Sequence, residues 1–244
     1  MGLYSDIKKG AGKGQKKFAV LIDPDKQTAS SLRKIKTLSI DSGADLFFFG
    51  GSLLTKDRVD EFLDILKKDN PLPVILFPGN NFQINSKADG ILLLSLISGR
   101  NPELLIGRHV VAAPYIKESG LEVIPTGYIL VDGGAATAVS YMSSTTPIPA
   151  DKPGIAACTA MAGEMLGLGL IYLDAGSGAG NPVPADMIRE VRRCTSVPLV
   201  VGGGINTPAK ARKAVNAGAD IIVVGNALEQ NPNLVSKISE AVHT

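Results

Sequence analysis

"PLVVGGGINTPAKARKAVNAGADIIVVGNALEQNP", residues 198–232, holds one pattern twice. An apolar run ends in glycine, a polar turn follows, and a helix-like segment opens on a capping residue and proline: Thr207-Pro208, then Asn231-Pro232. The runs are apolar at every position, not at alternate ones. Such runs suit strands buried on both faces, the mark of a parallel sheet.

The same rhythm extends back through the chain. Apolar runs occur at 18–22, 46–50, 74–78, 91–96, 123–131, 170–174, 198–203 and 220–225. Helical patterns lie between or after them at 28–42, 56–69, 101–118, 154–168, 184–194, 207–217 and 231–242. Eight strands alternating with helices over 244 residues predict a single (β/α)₈ TIM-type barrel spanning 1–244. A doubly wound open sheet would carry its glycine fingerprint after the first strand. Here the first strand ends in "DPDK", and the glycines gather after the last three. One crossover breaks the rhythm. "GNNFQINSKADG" (79–90) is made of residues that favour turns, so an irregular third crossover is expected in place of a helix. It reads equally as a tolerated irregularity or as a slot through which a long ligand leaves the barrel mouth.

Composition narrows the function classes. A net charge of +2 with no basic or aromatic-rich stretch gives no case for nucleic acid. Two isolated cysteines, Cys158 and Cys194, form neither a disulfide framework nor a zinc site; they read as small buried hydrophobes in a reducing, cytoplasmic setting. No signal peptide and no membrane-spanning run is visible, so any membrane contact would be peripheral.

In a (β/α)₈ enzyme the site lies at the carboxyl ends of the strands. "VVGGGINTP" (200–208) and "VVGNALEQNP" (223–232) resemble a barrel phosphate site: glycine N–H groups at Gly203, Gly204 and Gly225, and a short helix starting near Asn226. "YLDAGSGAG" (172–180) extends the cradle, with Ser177 as a hydroxyl donor and Gly176 and Gly178 as close-approach backbone. Asp174 ends strand six beside the cradle and is a candidate general base for a hydroxyl group. Across the mouth, Asp23 of "LIDPDK" and Ser52 of "FFGGSLLT" come from adjacent strands and offer oxygens suited to Mg²⁺. Taken alone they read better as a turn acid and a helix cap. Strand five ends in Asp132. An acid on strand one with another on strand five is similar to the aminoaldose isomerases of histidine biosynthesis, though the first half of the chain lacks a matching cradle.

Together "LIDPDK", "FFGGSLLT", "YLDAGSGAG", "VVGGGI" and "VVGNAL" resemble the geranylgeranylglyceryl phosphate synthase family, which includes the heptaprenylglyceryl phosphate synthases. The resemblance covers nearly the whole chain, and "YLDAGSG" is its most specific part. It implies a prenyltransferase that joins a prenyl diphosphate, geranylgeranyl diphosphate foremost, to the sn-3 hydroxyl of sn-glycerol 1-phosphate and releases pyrophosphate. It implies Mg²⁺ on Asp23 and Ser52. It implies glycerol phosphate on Tyr172, Leu173, Asp174, Ala175, Gly176, Ser177 and Gly178, on Gly203 and Gly204, and on Gly225 and Asn226. It also implies a prenyl groove at the irregular crossover. The family usually carries Glu where this chain has Asp174, one methylene shorter. Two other classes stay open: a sugar-phosphate isomerase using Asp23 and Asp132, and a non-catalytic phosphate-binding barrel. A homo-oligomer is expected, since barrels of this kind often pair.

Overall fold

The structure, a computed structural model, describes residues 2–244. Its strands are β1 (Lys17–Ile22), β2 (Leu46–Phe49), β3 (Val74–Leu76), β4 (Gly90–Leu96), β5 (Glu122–Leu130), β6 (Leu170–Asp174), β7 (Leu199–Gly202) and β8 (Ile221–Val224). They pair in parallel in chain order, and β8 closes on β1. The expected eight-stranded barrel is therefore present.

Side-chain alternation explains the unbroken apolar runs. One parity fills the barrel interior, with Phe48, Ile75, Leu92, Tyr128 and Tyr172. The other packs under the helical ring, with Phe47, Leu76, Ile129, Leu173 and Val201. Neither face meets water, so neither needs polar residues.

The helices are α1 (Leu3–Gly12), α2 (Ala29–Asp41), α3 (Val59–Lys67), α4 (Arg108–Ser119), α5 (Ala138–Ser143), α6 (Pro153–Met165), α7 (Ala185–Cys194), α8 (Pro208–Asn216), α9 (Asn226–Gln230) and α10 (Leu234–His243). Two were not expected. α1 plugs the end of the barrel away from the strand carboxyl ends. Its first N–H groups, those of Leu3 and Tyr4, donate to the Glu122 carboxylate at 2.6 and 2.8 Å, while the Tyr4 hydroxyl donates to the Gly169 carbonyl. An acid at a helix start satisfies orphan donors and complements the helix dipole. α5 is a short turn of helix held by a capping box between Thr137 and Ser140.

The third crossover holds only a 3₁₀ turn, Asn81–Gln83, so the missing helix is real. Polar side chains hold it instead. Buried Gln83 donates to the Gly51 carbonyl at 2.8 Å and accepts from the Gly51 N–H at 3.3 Å. After β4 the backbone makes a π-helical turn, Glu103–Gly107, before α4. The cysteine expectation holds only in part. Cys194 is partly buried against the core, but Cys158 is exposed, because the buried face of α6 is its Ala156, Ala157, Ala160 and Gly163 side. Among the described residues no helix is long and apolar enough to cross a membrane.

Candidate active site

The strand carboxyl ends open on a cavity of about 810 Å³ that joins two unlike regions. One is polar and lies over β1, β6, β7 and β8. The other is an apolar slot lined by Ile84, Leu93, Leu104, Ala112 and Ile116, between the helix-free crossover and α4. The slot exists because no helix covers that part of the wall.

The floor of the polar region is aromatic. Phe77 stacks on Tyr172 with ring centroids 5.4 Å apart, and Tyr128 meets Tyr172 edge-on at 5.4 Å. Asp174 stands at its edge, 6 % exposed. The Tyr128 hydroxyl donates to its Oδ2 at 2.5 Å, and the Gly176 N–H donates to its Oδ1 at 2.7 Å. Burial pushes the Asp174 carboxyl above the ordinary carboxylate range, while the Tyr128 and Gly176 hydrogen bonds pull it back. Burial, with Asp174 nearby, holds the Tyr128 and Tyr172 phenols well above their usual range, so both remain proton donors. A carboxylate held in place by two donors keeps lone pairs for a third.

Above Asp174 the backbone is bare. Gly176, Gly178, Gly203 and Gly204 all have φ between +67° and +88°. That conformation suits glycine and strains other residues. The reason for Gly204 differs from simple room for a phosphate. A Cβ there would stand 2.6 Å from the Asn181 carbonyl and 2.7 Å from the Pro182 nitrogen, so a side chain would push the β6–α7 loop. At Gly203 it would meet Asp174 Oδ1 at 2.6 Å. Gly178 faces open space. Gly225 caps α9, which begins at Asn226, and both line the cavity.

Across the mouth, Asp23 caps a 3₁₀ turn, Pro24–Lys26, by accepting from the Asp25 N–H. Asp25 reaches over to the β2 loop, where the Thr55 N–H and hydroxyl donate to it at 2.6 and 2.8 Å. Gly51 lies beside Asp23, since a Cβ there would stand 3.1 Å from Asp23 Oδ1, and Ser52 follows it in the loop and lines the same cavity. The helix-cap reading of Ser52 fails, because α3 starts only at Val59 and Arg58 precedes it. Among the described residues no group of three or more His, Cys, Asp or Glu side chains could hold a metal ion. One carboxylate and one hydroxyl from neighbouring loops, open to the cavity, still fit Mg²⁺, which usually keeps waters and takes further ligands from substrate phosphates.

The structure brings most expected site residues to this cavity: Asp23, Ser52, Tyr172, Asp174, Gly176, Ser177, Gly178, Gly203, Gly204, Gly225 and Asn226. Two do not reach it. Leu173 and Ala175 pack in the outer layer, and the Ala175 N–H is bound to the Gly202 carbonyl at 3.1 Å. Asp132 is exposed outside the cavity, where its carboxylate accepts from the Gly134 N–H. It cannot pair with Asp23 as acid and base, which removes the basis of the isomerase reading. Tyr128, Arg108 and Glu229 line the cavity and were missed from sequence. Lys26 was seen there only as a neighbour of Asp23.

A PcrB family model matches residues 13–243. The chain belongs to the PcrB family. It is 55 % identical over 229 residues to a geranylgeranylglyceryl phosphate synthase of Spirosoma linguale, covering 94 % of this chain and 92 % of that one. It is 51 % identical over 241 residues to the same enzyme of Chitinophaga pinensis, covering 99 % and 96 %. Among solved structures, (S)-3-O-geranylgeranylglyceryl phosphate synthase of Thermoplasma acidophilum, bound to its substrate sn-glycerol-1-phosphate, superposes with a TM-score of 0.94 at 32 % identity, over 100 % of this chain and 99 % of that one. The family resemblance in the motifs thus extends through this member of the PcrB family from end to end.

Proposed function

We propose that this PcrB-family protein is a prenyltransferase that joins a long prenyl diphosphate to the sn-3 hydroxyl of sn-glycerol 1-phosphate. One observation carries the reading: a single cavity joins a glycine-walled polar pocket, with a buried acid at its floor, to an apolar slot through the barrel wall. A sugar-phosphate enzyme has no use for the slot, and a pure lipid carrier has none for the cradle. Relatives named for this reaction support it, and so does the neighbour that binds sn-glycerol-1-phosphate.

The chain's own groups suit the steps. Backbone N–H groups of the loops at Ser177, Gly178 and Gly203, with the Ser177 hydroxyl, receive the phosphate. Asp174, steadied by Tyr128, accepts the proton of the far hydroxyl. The hydroxyl oxygen bonds to C1 of the prenyl chain as the bond from C1 to the diphosphate breaks, and its electron pair leaves with pyrophosphate. Asp23 and Ser52 are the groups to hold Mg²⁺, which when bound supplies positive charge to the departing diphosphate. The slot shields the tail, and geranylgeranyl diphosphate is the proposed donor.

The test is incubation with sn-glycerol 1-phosphate and prenyl diphosphates of several lengths, with product mass measured, before and after EDTA and again with added Mg²⁺. The expected result is a prenylglyceryl phosphate that disappears with EDTA and returns with Mg²⁺. No ether product with any donor would overturn the reading.

A further inference from the structure

Lys26 stands where the two anionic substrates of the proposed reaction must meet. The Asp23 cap and Pro24 wind one tight turn, which brings Lys26 back over Asp23, with Nζ 3.3 Å from Asp23 Oδ2. The same ammonium donates to Ser177 Oγ at 3.2 Å, in the cradle loop after β6. It also lies 3.8 Å from Glu229 Oε2 on α9, a side chain only 13 % exposed. One cation thus touches the diphosphate side, the phosphate side and a buried acid. Burial raises the Glu229 carboxyl and Lys26 draws it down, so Lys26 is its main electrostatic partner.

The charge balance of the mouth makes this placement matter. Asp23, Asp174 and Glu229 line the cavity, and both substrates are phosphate anions. Among the described residues the basic side chains lining the cavity are Lys26, Arg108 and His109, and the last two belong to the slot side, Arg108 beside the third crossover and His109 against Ser95 of β4. Lys26 is therefore the one ammonium positioned between the cradle and the Asp23 side. Anions brought a few ångströms apart repel strongly in a partly dry site unless a cation lies between them.

We infer that Lys26 is a substrate-binding residue that bridges the phosphate of glycerol 1-phosphate and the diphosphate of the prenyl donor, and that Glu229 is the acid that parks its ammonium before they arrive. This rests on the proposed reaction, and neither residue is among those assigned to a ligand above.

Calorimetry tests it without turnover. The dissociation constant of sn-glycerol 1-phosphate is measured alone and with saturating inorganic pyrophosphate, for the native chain, Lys26→Met and Lys26→Arg. Lys26→Met should weaken glycerol 1-phosphate binding roughly 10- to 100-fold, the usual worth of a charge-assisted hydrogen bond. The loss should be several-fold greater when pyrophosphate is present. Lys26→Arg keeps the charge and should stay within about threefold of native. Unchanged binding in Lys26→Met, or the same loss with and without pyrophosphate, overturns the bridge. Equal losses in Lys26→Met and Lys26→Arg, tracking a common fall in melting temperature, mark a packing role and also overturn it. If the native chain binds no glycerol 1-phosphate, the proposed function fails instead, and the same comparison with inorganic phosphate still decides whether Lys26 holds an anion.

Discussion

Over β6, β7 and β8 the cavity is walled by backbone, while between β3 and α4 it is walled by side chains. The cradle side gathers four glycines with positive φ, all lining the cavity. The slot side gathers Ile84, Leu93, Ala112 and Ile116 around a space that a helix would otherwise fill. A phosphate needs a few donors at fixed places, so its half of the mouth is made of tight, hydrogen-bonded loops. A prenyl tail needs volume and no direction, so its half is made by leaving an element out. The outer face of the crossover matches this: Phe82 is 94 % exposed, while Gln83 ties the segment to Gly51 and Ile84 turns to the slot. Each substitution below should damage one half and spare the other; an effect on both would break the comparison.

The largest effect is expected at the floor of the cradle. Asp174→Asn keeps shape and removes the base, so turnover should fall roughly 10²- to 10⁴-fold. Its stability should move the other way. The folded carboxyl is raised above its ordinary value, so its contribution to stability is present below about pH 4 and is lost as pH rises through the folded pKa. Near neutrality the native chain holds a buried charge that the Asn variant lacks. Thermal melts should show Asp174→Asn at least as stable as native at pH 7.5, with the gap closing in acid. A clear loss of stability at pH 7.5 would mean that Asp174 is a structural anchor first.

Next come the cradle glycines. Gly204→Val must displace the backbone of Asn181 and Pro182, whereas Gly178→Ala faces open space and carries only the strain of positive φ, about 1 kcal/mol. The KM for glycerol 1-phosphate should therefore rise steeply in Gly204→Val and by less than about tenfold in Gly178→Ala, with the KM for the prenyl diphosphate nearly flat in both. Equal rises in both KM values would show that the two halves are not separable.

A smaller change is expected from Tyr128→Phe. The phenol donates to Asp174 at 2.5 Å and so favours its charged form. Asp174 acts as a base only when ionised, so kcat rises with pH through its pKa. Removing the donor should move that limb to higher pH, lowering kcat on its acid side by roughly tenfold for a shift of about one pH unit, while kcat on the alkaline plateau stays close to native. A limb that stays in place would separate Tyr128 from the acid.

These residues also show what could be read in advance. The eight strands were legible because burial on both faces forces apolar runs, and the missing third helix was legible because "GNNFQINSKADG" is poor in helix formers. Gly204 lines the cavity, but its need for glycine has a reason the sequence does not show, since only coordinates reveal which backbone its missing Cβ would strike. Leu173 was placed wrongly because a run named as a block ignores alternation: Tyr172 and Asp174 share one parity, and Leu173 has the other. Lys26 had a usable signal in "DPDK", where a capping Asp and a proline predict a tight turn that returns the lysine to the aspartate. Tyr128 had no comparable signal. Its pairing with Tyr172 is a matter of barrel register, set by the closed sheet and not by local sequence.

The smallest and sharpest test is in the slot. Ala112 lies on α4 with its methyl toward the cavity, 5 % exposed. Ala112→Leu adds bulk where the tail would run and touches nothing in the cradle. Each buried CH₂ is worth roughly 0.8 kcal/mol, so shutting out about two of them should cost a long donor about tenfold in kcat/KM. A ten-carbon diphosphate that stops short of Ala112 should lose nothing. The quantity to measure is the ratio of kcat/KM for twenty- and ten-carbon donors, because any general disturbance from overpacking cancels in it. That ratio should fall about tenfold while the KM for glycerol 1-phosphate stays within twofold of native. If both donors fall together, the tail does not run past α4, and the gap in the barrel wall must serve something other than chain length.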